Sequence, residues 1–237
     1  MLRFTHRFHK KRFSVKNRRL KKYLLALGVF LSLDLCLESF LFHQITFQKT
    51  QKTEIQTWIQ RQLRYFPLAV SSRDPRLTFS YADTWNQSRT YGGDRHHEGT
   101  DIMTAVNHRG IYPVLSMSDG VVEKLGWLKL GGWRIGIRTE DGLYLYYAHL
   151  ESYVPDLAEG DPVQAGECLG FVGDSGYGPE GTIGKFAAHL HVGIYVPDKN
   201  GTDQALNPYP YLEKLNTHVL TYDFIDQEKN NDNDSTG

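Results

Sequence analysis

Cysteine is nearly absent from this chain: its 237 residues hold two, Cys36 and Cys168. Cys36 falls in an apolar N-terminal stretch and Cys168 in an expected strand, which excludes a disulfide framework and a Cys-type metal centre. Acidic residues are missing from positions 1–22, where ten of the 27 Lys and Arg gather. The formal net charge of zero therefore conceals a basic head and a remainder with 17 basic against 27 acidic residues, about 10 charges negative. A body of that sign is poorly suited to a phosphate backbone, and no nucleic-acid partner is expected. No internal repeat is visible, which leaves one sizeable domain with appendages. The glycine-rich stretch Gly173 to Gly184 lacks a following Gly-Lys-Ser/Thr, so it reads as a substrate-cleft loop and not as a phosphate cradle. No activated Ser or Cys is recognisable, which points away from a covalent intermediate.

A full-length uninterrupted membrane span is lacking as well. Leu24 to Phe42 is apolar, but Asp34 and Glu38 interrupt it and only Leu24 to Leu33 is free of charge, a length nearer that of a signal-peptide core. With the basic head before it and no small-x-small cleavage site after it, the stretch reads as an uncleaved single-pass anchor with its N-terminus inside. Leu33-Asp34-Leu35-Cys36 is a poor lipoprotein box, because a bulky Leu precedes the cysteine. Cleavage would instead give a secreted chain, and in both cases the body lies outside the cytoplasm. Ile55, Trp58, Ile59, Leu63 and Phe66 fall near helical spacing and predict a short amphipathic helix that Pro67 limits, followed by a linker over Ser71 to Pro75. The polar Glu228 to Gly237 is expected to be disordered. The division that follows is a basic cytoplasmic head (1–22), an anchor or signal segment (23–42), a juxtamembrane helix and linker (43–79), a main domain (80–215) and a polar tail (216–237).

Beyond residue 80, turn signals punctuate short apolar runs. Asp141-Gly142 between Trp133 to Thr139 and Leu143 to His149 is a hairpin signal, and Asp119-Gly120 and Gly160-Asp161 mark further turns. The fold class expected is mainly β, an antiparallel sheet groove or partial barrel.

The histidines carry the chemistry. In a strand, side chains alternate faces, so His189 and His191 point one way while Leu190, Val192 and Ile194 point the other. His97-Glu98-Gly99-Thr100-Asp101 places a histidine and an aspartate on a loop running into a strand. His149, in Tyr146-Tyr147-Ala148-His149-Leu150, sits at the exit of a second strand-like run. Catalytic zinc takes three protein ligands of nitrogen and oxygen type and keeps a fourth position for water. These strings offer four such groups before His149 is counted, so one of His189 and His191 is left for acid/base work. Spacing alone leaves open which one. His6, His9, His43, His108 and His218 read as ordinary packed or surface residues, and His96 as a decoy that lacks the x-x-x-Asp spacing.

His-x-x-x-Asp, Tyr-x-His-Leu and His-x-His, in that order, resemble the lysostaphin/LytM-type zinc metallopeptidases that cut peptidoglycan peptides. The turn and strand strings Asp119-Gly120-Val121-Val122, Gly160-Asp161-Pro162-Val163 and Leu169-Gly170-Phe171-Val172-Gly173 agree, and the resemblance covers roughly residues 85 to 212. Within that family, Tyr91-Gly92-Gly93-Asp94-Arg95, the run Gly131 to Arg138 and Gly176-Tyr177-Gly178-Pro179-Glu180-Gly181 look most like the L-Ala-D-Glu endopeptidases of spore-forming bacilli. The resemblance implies one zinc ion bound by His97, Asp101 and His191, with His149 and His189 as catalytic histidines. It also implies a weaker role for Tyr91 as a donor to the tetrahedral intermediate. The implied reaction is metal-assisted hydrolysis of a stem-peptide amide, L-Ala-D-Glu, in cell-wall or spore-cortex maturation. Gly-Gly bridges and D-Ala-diaminopimelate crosslinks stand as other bonds, and a catalytically silent scaffold at the envelope as the noncatalytic alternative. Silent relatives typically lose ligands, whereas all five positions are present here.

Overall fold

The computed structural model describes residues 9–226, with side chains from residue 17 onward, so His6 and the expected disordered stretch Glu228 to Gly237 lie outside the described residues. The chain divides into two units between Thr57 and Trp58. Among the described residues the first is a single helix, the larger part of α1 (His9–Gln62), and α1 is there the one helix long and apolar enough to cross a membrane. Leu24, Leu25, Phe30, Leu33, Leu37 and Phe42 are each more than half exposed on it. Two separate helices were expected here, an anchor and a juxtamembrane segment. One forms instead, because no Gly or Pro falls between Gly28 and Pro67 to break the backbone hydrogen-bond ladder.

The second unit is built from short strands: β1 (Val70–Ser71), β2 (Phe79–Tyr81), β3 (Ser88–Arg89), β4 (Arg95–His96), β5 (Thr100–Thr104), β6 (Pro113–Leu115), β7 (Gly120–Leu128), β8 (Gly132–Arg138), β9 (Tyr144–Tyr153), β10 (Pro162–Val163), β11 (Cys168–Val172), β12 (His189–Pro197) and β13 (Asp203–Leu206), then α2 (Tyr209–Leu215) and β14 (Thr221–Tyr222). The main sheet runs β10-β7-β8-β9-β12-β5-β2 with every neighbour antiparallel, and β11 and β13 join it at β9 and β12. The Asp141-Gly142 hairpin joins β8 to β9 as its sequence predicts. Gly142 takes the left-handed φ of +92° that such a turn needs, and the Gly142 amide donates to the Thr139 carbonyl.

The domain is larger than the expected 80–215. Ile59, Leu63, Phe66, Leu68, Ala69 and Leu77 are all buried, so much of the expected juxtamembrane segment is core. The Ser71 to Pro75 linker is ordered by β1, which pairs in parallel with β14, and by the Ser71 hydroxyl, which accepts from the Arg73 and Asp74 amides. At the other end Val219 and Phe224 pack on the core and Asp226 is buried, where only a polar tail was expected. Apolar residues at both edges explain the difference, since each buried Leu or Phe contributes about 1.5–3 kcal/mol.

Three adjacent strands set the position of the functional residues. Ile135 and Ile137 of β8, Leu145 and Tyr147 of β9, and Leu190, Val192 and Ile194 of β12 point into the core and are fully buried. Period two then sends Tyr144, Tyr146 and Ala148 of β9, and His191, Gly193 and Tyr195 of β12, to the opposite face. Unbroken alternation would also drive His149 into the core after Leu145 and Tyr147. A β-bulge prevents this: β8 advances two residues from Trp133 to Ile135 while β9 advances three from Leu150 back to Tyr147. His149 takes a left-handed φ of +66° in the bulge, and Leu150 then enters the core in its place. The strand therefore continues to Tyr153, and His149 lies within it and not at its exit.

Candidate metal centre and cleft

The register of β12 against β5 places His191 directly opposite Asp101. His97 comes from the loop before β5, which is pinned on both sides: its amide donates to the Gln87 carbonyl, and its carbonyl accepts from the Asn86 amide. The result is a triangle of donor atoms. His97 Nε2 lies 3.0 Å from Asp101 Oδ1 and 3.0 Å from His191 Nδ1, and His191 Nδ1 lies 2.9 Å from Asp101 Oδ1. Among the described residues this is the one cluster of His, Cys, Asp and Glu arranged to hold a metal ion. Zinc with ligands at about 2.0–2.2 Å in tetrahedral array separates its donor atoms by roughly 3.3 Å, so a small outward adjustment accommodates it.

The proton inventory supports the same fit. His97 Nδ1–H donates to the Thr84 carbonyl at 3.0 Å, which leaves Nε2 of the neutral ring with a lone pair facing a carboxylate oxygen. Acceptor against acceptor at that distance calls for a cation or a second proton between them. With a second proton supplying that bridge, burial still acts to raise the Asp101 pKa, but the hydrogen bonds from His191 and His97 outweigh it and hold the carboxyl well below the usual range. Arg89, which no motif singles out, donates from Nη2 to Asp101 Oδ2 at 3.0 Å. It fixes the second carboxylate oxygen and leaves the first for the triangle.

Gly99 makes the triangle possible. A Cβ there would lie 2.4 Å from His191 Cε1 and 2.5 Å from its Nε2, so the imidazole occupies the space that any side chain would fill.

The other two histidines stand beside the ligands without joining them. His149 Nδ1–H donates to the Ser175 carbonyl at 2.8 Å, and His189 Nδ1–H donates to the Ala187 carbonyl at 2.7 Å. Both rings are thereby fixed as the tautomer with a lone pair at Nε2, and their centroids are 4.8 Å apart. Phe186 packs against both, at 4.6 Å from His149 and 5.0 Å from His189, a contact that sequence spacing did not signal. Burial, and then the neighbouring His189 and His191 charges, push the His149 pKa well below the ordinary imidazole value. His189 is also lowered, first by burial, with Asp101 opposing. Both are therefore neutral at pH 7 and able to accept a proton.

The same shifts make stability depend on pH. Unfolded imidazole titrates near 6.5, so between that value and the lower folded values the unfolded chain binds more protons than the native one. The contribution is complete above about pH 6.5 and is lost as the pH falls toward the folded values. In chain stripped of metal, the thermal midpoint of the β domain is expected to fall as pH drops from 7 to 5. A His149→Asn, His189→Asn double variant should flatten that slope, and an unchanged slope would contradict the assignment of the shift to these rings.

Tyr91 is placed differently from the other expected residues. Its hydroxyl donates to the Tyr177 carbonyl and its ring stacks on Tyr177 at 4.3 Å. Tyr177, on the expected cleft loop, is 6.0 Å from His149 between ring centroids. Tyr91 thus buttresses the cleft wall, and its hydroxyl proton is already engaged. His96 is exposed, with Nδ1 3.1 Å from the Asn86 carbonyl.

A cleft of about 920 Å³ opens over His149 and His191. Its floor is tyrosine laid over glycine: a Cβ at Gly136 would meet the Tyr144 hydroxyl at 1.9 Å, and one at Gly193 would meet the Tyr195 ring at 2.7 Å. Tyr146 meets His191 edge-on at 5.9 Å. Arg95, Lys124, Lys129 and Arg134 line the cleft against a single acidic residue, Glu98. Arg134 Nη1 is sealed from solvent with no hydrogen-bond partner, an omission that costs about 1–3 kcal/mol for a neutral group and more for a charged one.

Residues 95–208 match peptidase family M23. The crystal structure of a lytM protein from Ruminococcus gnavus ATCC 29149 superposes with a TM-score of 0.66 at 46% identity, covering 75% of this chain and 72% of that one. The chain belongs to peptidase family M23. Among curated M23-like relatives, the L-Ala-D-Glu endopeptidase of Bacillus subtilis (strain 168) is 47% identical over 147 residues, 62% of this chain and 42% of that protein. The glycyl-glycine endopeptidase ALE-1 of Staphylococcus capitis is 31% identical over 119 residues, 49% of this chain and 29% of that protein. This M23 chain thus spans less than half the length of each of these curated relatives.

Proposed function

We propose that the chain is a zinc-dependent endopeptidase that hydrolyses the L-Ala-D-Glu amide of peptidoglycan stem peptides. The observation that carries this reading is the union, on one sheet face, of a three-donor triangle with two imidazoles held neutral beside it. The choice of bond is supported by the 47% identity to the L-Ala-D-Glu endopeptidase of B. subtilis. His97, Asp101 and His191 would hold the ion, leaving a coordination position open to the cleft. Zinc bound there supplies Lewis-acid polarisation of the scissile carbonyl and lowers the pKa of a bound water. His149 and His189 each present an Nε2 lone pair: one accepts the proton of the attacking water, and the other steadies the tetrahedral oxyanion or delivers a proton to the leaving amine. Tyr91 would add a donor to that oxyanion on release of its bond to Tyr177. The membrane is the second partner. The basic head and the exposed apolar face of α1 support a single-pass anchor with the domain outside the cytoplasm, facing the wall or the spore cortex.

Digestion of purified peptidoglycan by the zinc-loaded chain, with the fragments read by mass spectrometry, tests the reading. New L-Ala carboxyl and D-Glu amino termini are expected. Other termini would keep the hydrolase and discard the bond. Intact peptides despite bound zinc would discard the hydrolase in favour of a scaffold.

A further inference from the structure

Strand register puts Arg134 and the triangle in one row. Gly126 of β7 pairs with Arg134 of β8, which faces the Ala148–His149 bulge of β9; Ala148 pairs with His191 of β12, and His191 with Asp101 of β5. Two strand spacings, roughly 10 Å, separate the Arg134 and His191 backbones. Ala148 stands between them on that face, with the Tyr146 hydroxyl bordering Gly131 beside the Ala148 methyl, and a Cβ added at Gly126 would meet nothing within 4 Å. Arg134 lines the cleft that also holds His149 and His191, with Nη1 sealed at its wall. The contrast with Arg138, two turns of the pleat along the same strand, is direct: Arg138 is bonded to Glu123 and Asp203, whereas Arg134 has no acidic partner among the described residues and one of its nitrogens is buried unpaired. A guanidinium is never discharged and presents a planar fork that matches a carboxylate.

We infer that Arg134 determines specificity by binding a free carboxylate on a substrate residue next to the scissile amide. An extended peptide advances about 3.3–3.6 Å per residue, so a side chain reaching along this row from two strands away meets the residue adjoining the bond that is cut. Resting on the proposed L-Ala-D-Glu reading, the group is supplied by the D-Glu residue itself. Glutamate has two carboxyls, only one continues the chain, and the other stays free beside the new amine. The surrounding Lys124 and Lys129 favour the same charge, on a body that is otherwise acidic. Enzyme and substrate would thus meet through a local reversal of sign.

The test separates recognition from hydrolysis. Equilibrium binding of L-Ala-D-Glu peptides to the full chain in detergent is followed by tryptophan fluorescence, with the free carboxyl either ionised or converted to a carboxamide. Wild type should bind the carboxylate at least tenfold more tightly. Arg134→Gln should bind both forms alike, and Arg134→Lys should recover part of the preference, with folding checked by circular dichroism. Equal binding of the two peptides by wild type, no binding of either, or a preference that survives Arg134→Gln would each overturn the inference. Hydrolysis is scored separately: discrimination without cleavage keeps Arg134 as a carboxylate reader and discards the endopeptidase reading, and cleavage without discrimination does the reverse.

Discussion

Gly99→Ala is expected to abolish metal binding and peptide hydrolysis together, with the fold retained. Residue 99 does not have the left-handed backbone that favours glycine, so alanine is conformationally permitted and the effect is purely steric. The new methyl would sit 2.4 Å from His191 Cε1, 2.5 Å from His191 Nε2 and 2.6 Å from the Val192 carbonyl oxygen. The imidazole can swing aside, but the Val192 carbonyl is backbone, so the chain at residue 99 must also draw away from β12, and both movements open the triangle on its His191 edge. A displacement of about 1 Å in such a site costs on the order of 100-fold in rate, and loss of one of three ligands costs more. Equilibrium dialysis against zinc, with peptide hydrolysis on the same samples, reads both effects. Retained zinc with lost activity would mean that Gly99 serves the substrate and not the metal.

His149→Ala should lower turnover by about 10²–10⁴-fold, the range for removal of a general acid or base, while zinc content stays at the wild-type level. Nothing in the triangle is bonded to His149: its Nδ1 proton goes to the Ser175 carbonyl and its Nε2 faces the cleft. The left-handed φ of +66° complicates the alanine variant, since that conformation costs a non-glycine residue roughly 1–3 kcal/mol. Asparagine tolerates it better and can still donate to Ser175. His149→Asn should therefore match His149→Ala in lost turnover and exceed it in thermal midpoint. Activity within tenfold of wild type in the asparagine variant would remove His149 from the chemistry.

Much of this site was legible in the sequence because it obeys local rules. The spacing of His189 and His191 is one strand period, and alternate apolar residues Leu190, Val192 and Ile194 confirm the phase by their burial. Asp141-Gly142 announces its hairpin by turn chemistry alone. His149 shows where such reading stops. Its position depends on a bulge that pairs three residues of β9 against two of β8, and a one-residue slip is invisible without the partner strand. Arg89 and Arg134 are not legible for a related reason: an arginine acquires meaning only from what faces it, Asp101 for one and the cleft over His149 and His191 for the other. The domain edges are not legible because residues 58–79 and 216–226 contribute isolated apolar side chains, such as Leu77 and Phe224, whose burial depends on distant strands.

One metal ion, held by His97, Asp101 and His191, is proposed to make this fold a peptidase. That role is tested most directly by titrating zinc into chelator-stripped full chain while following both bound metal and hydrolysis of an L-Ala-D-Glu peptide, in wild type and in Asp101→Ala. The expected result is no hydrolysis without metal, full recovery at one equivalent bound, and neither tight binding nor recovery in Asp101→Ala. Hydrolysis that persists after stripping, or an Asp101→Ala chain that binds one equivalent as tightly as wild type and regains its activity, would contradict it.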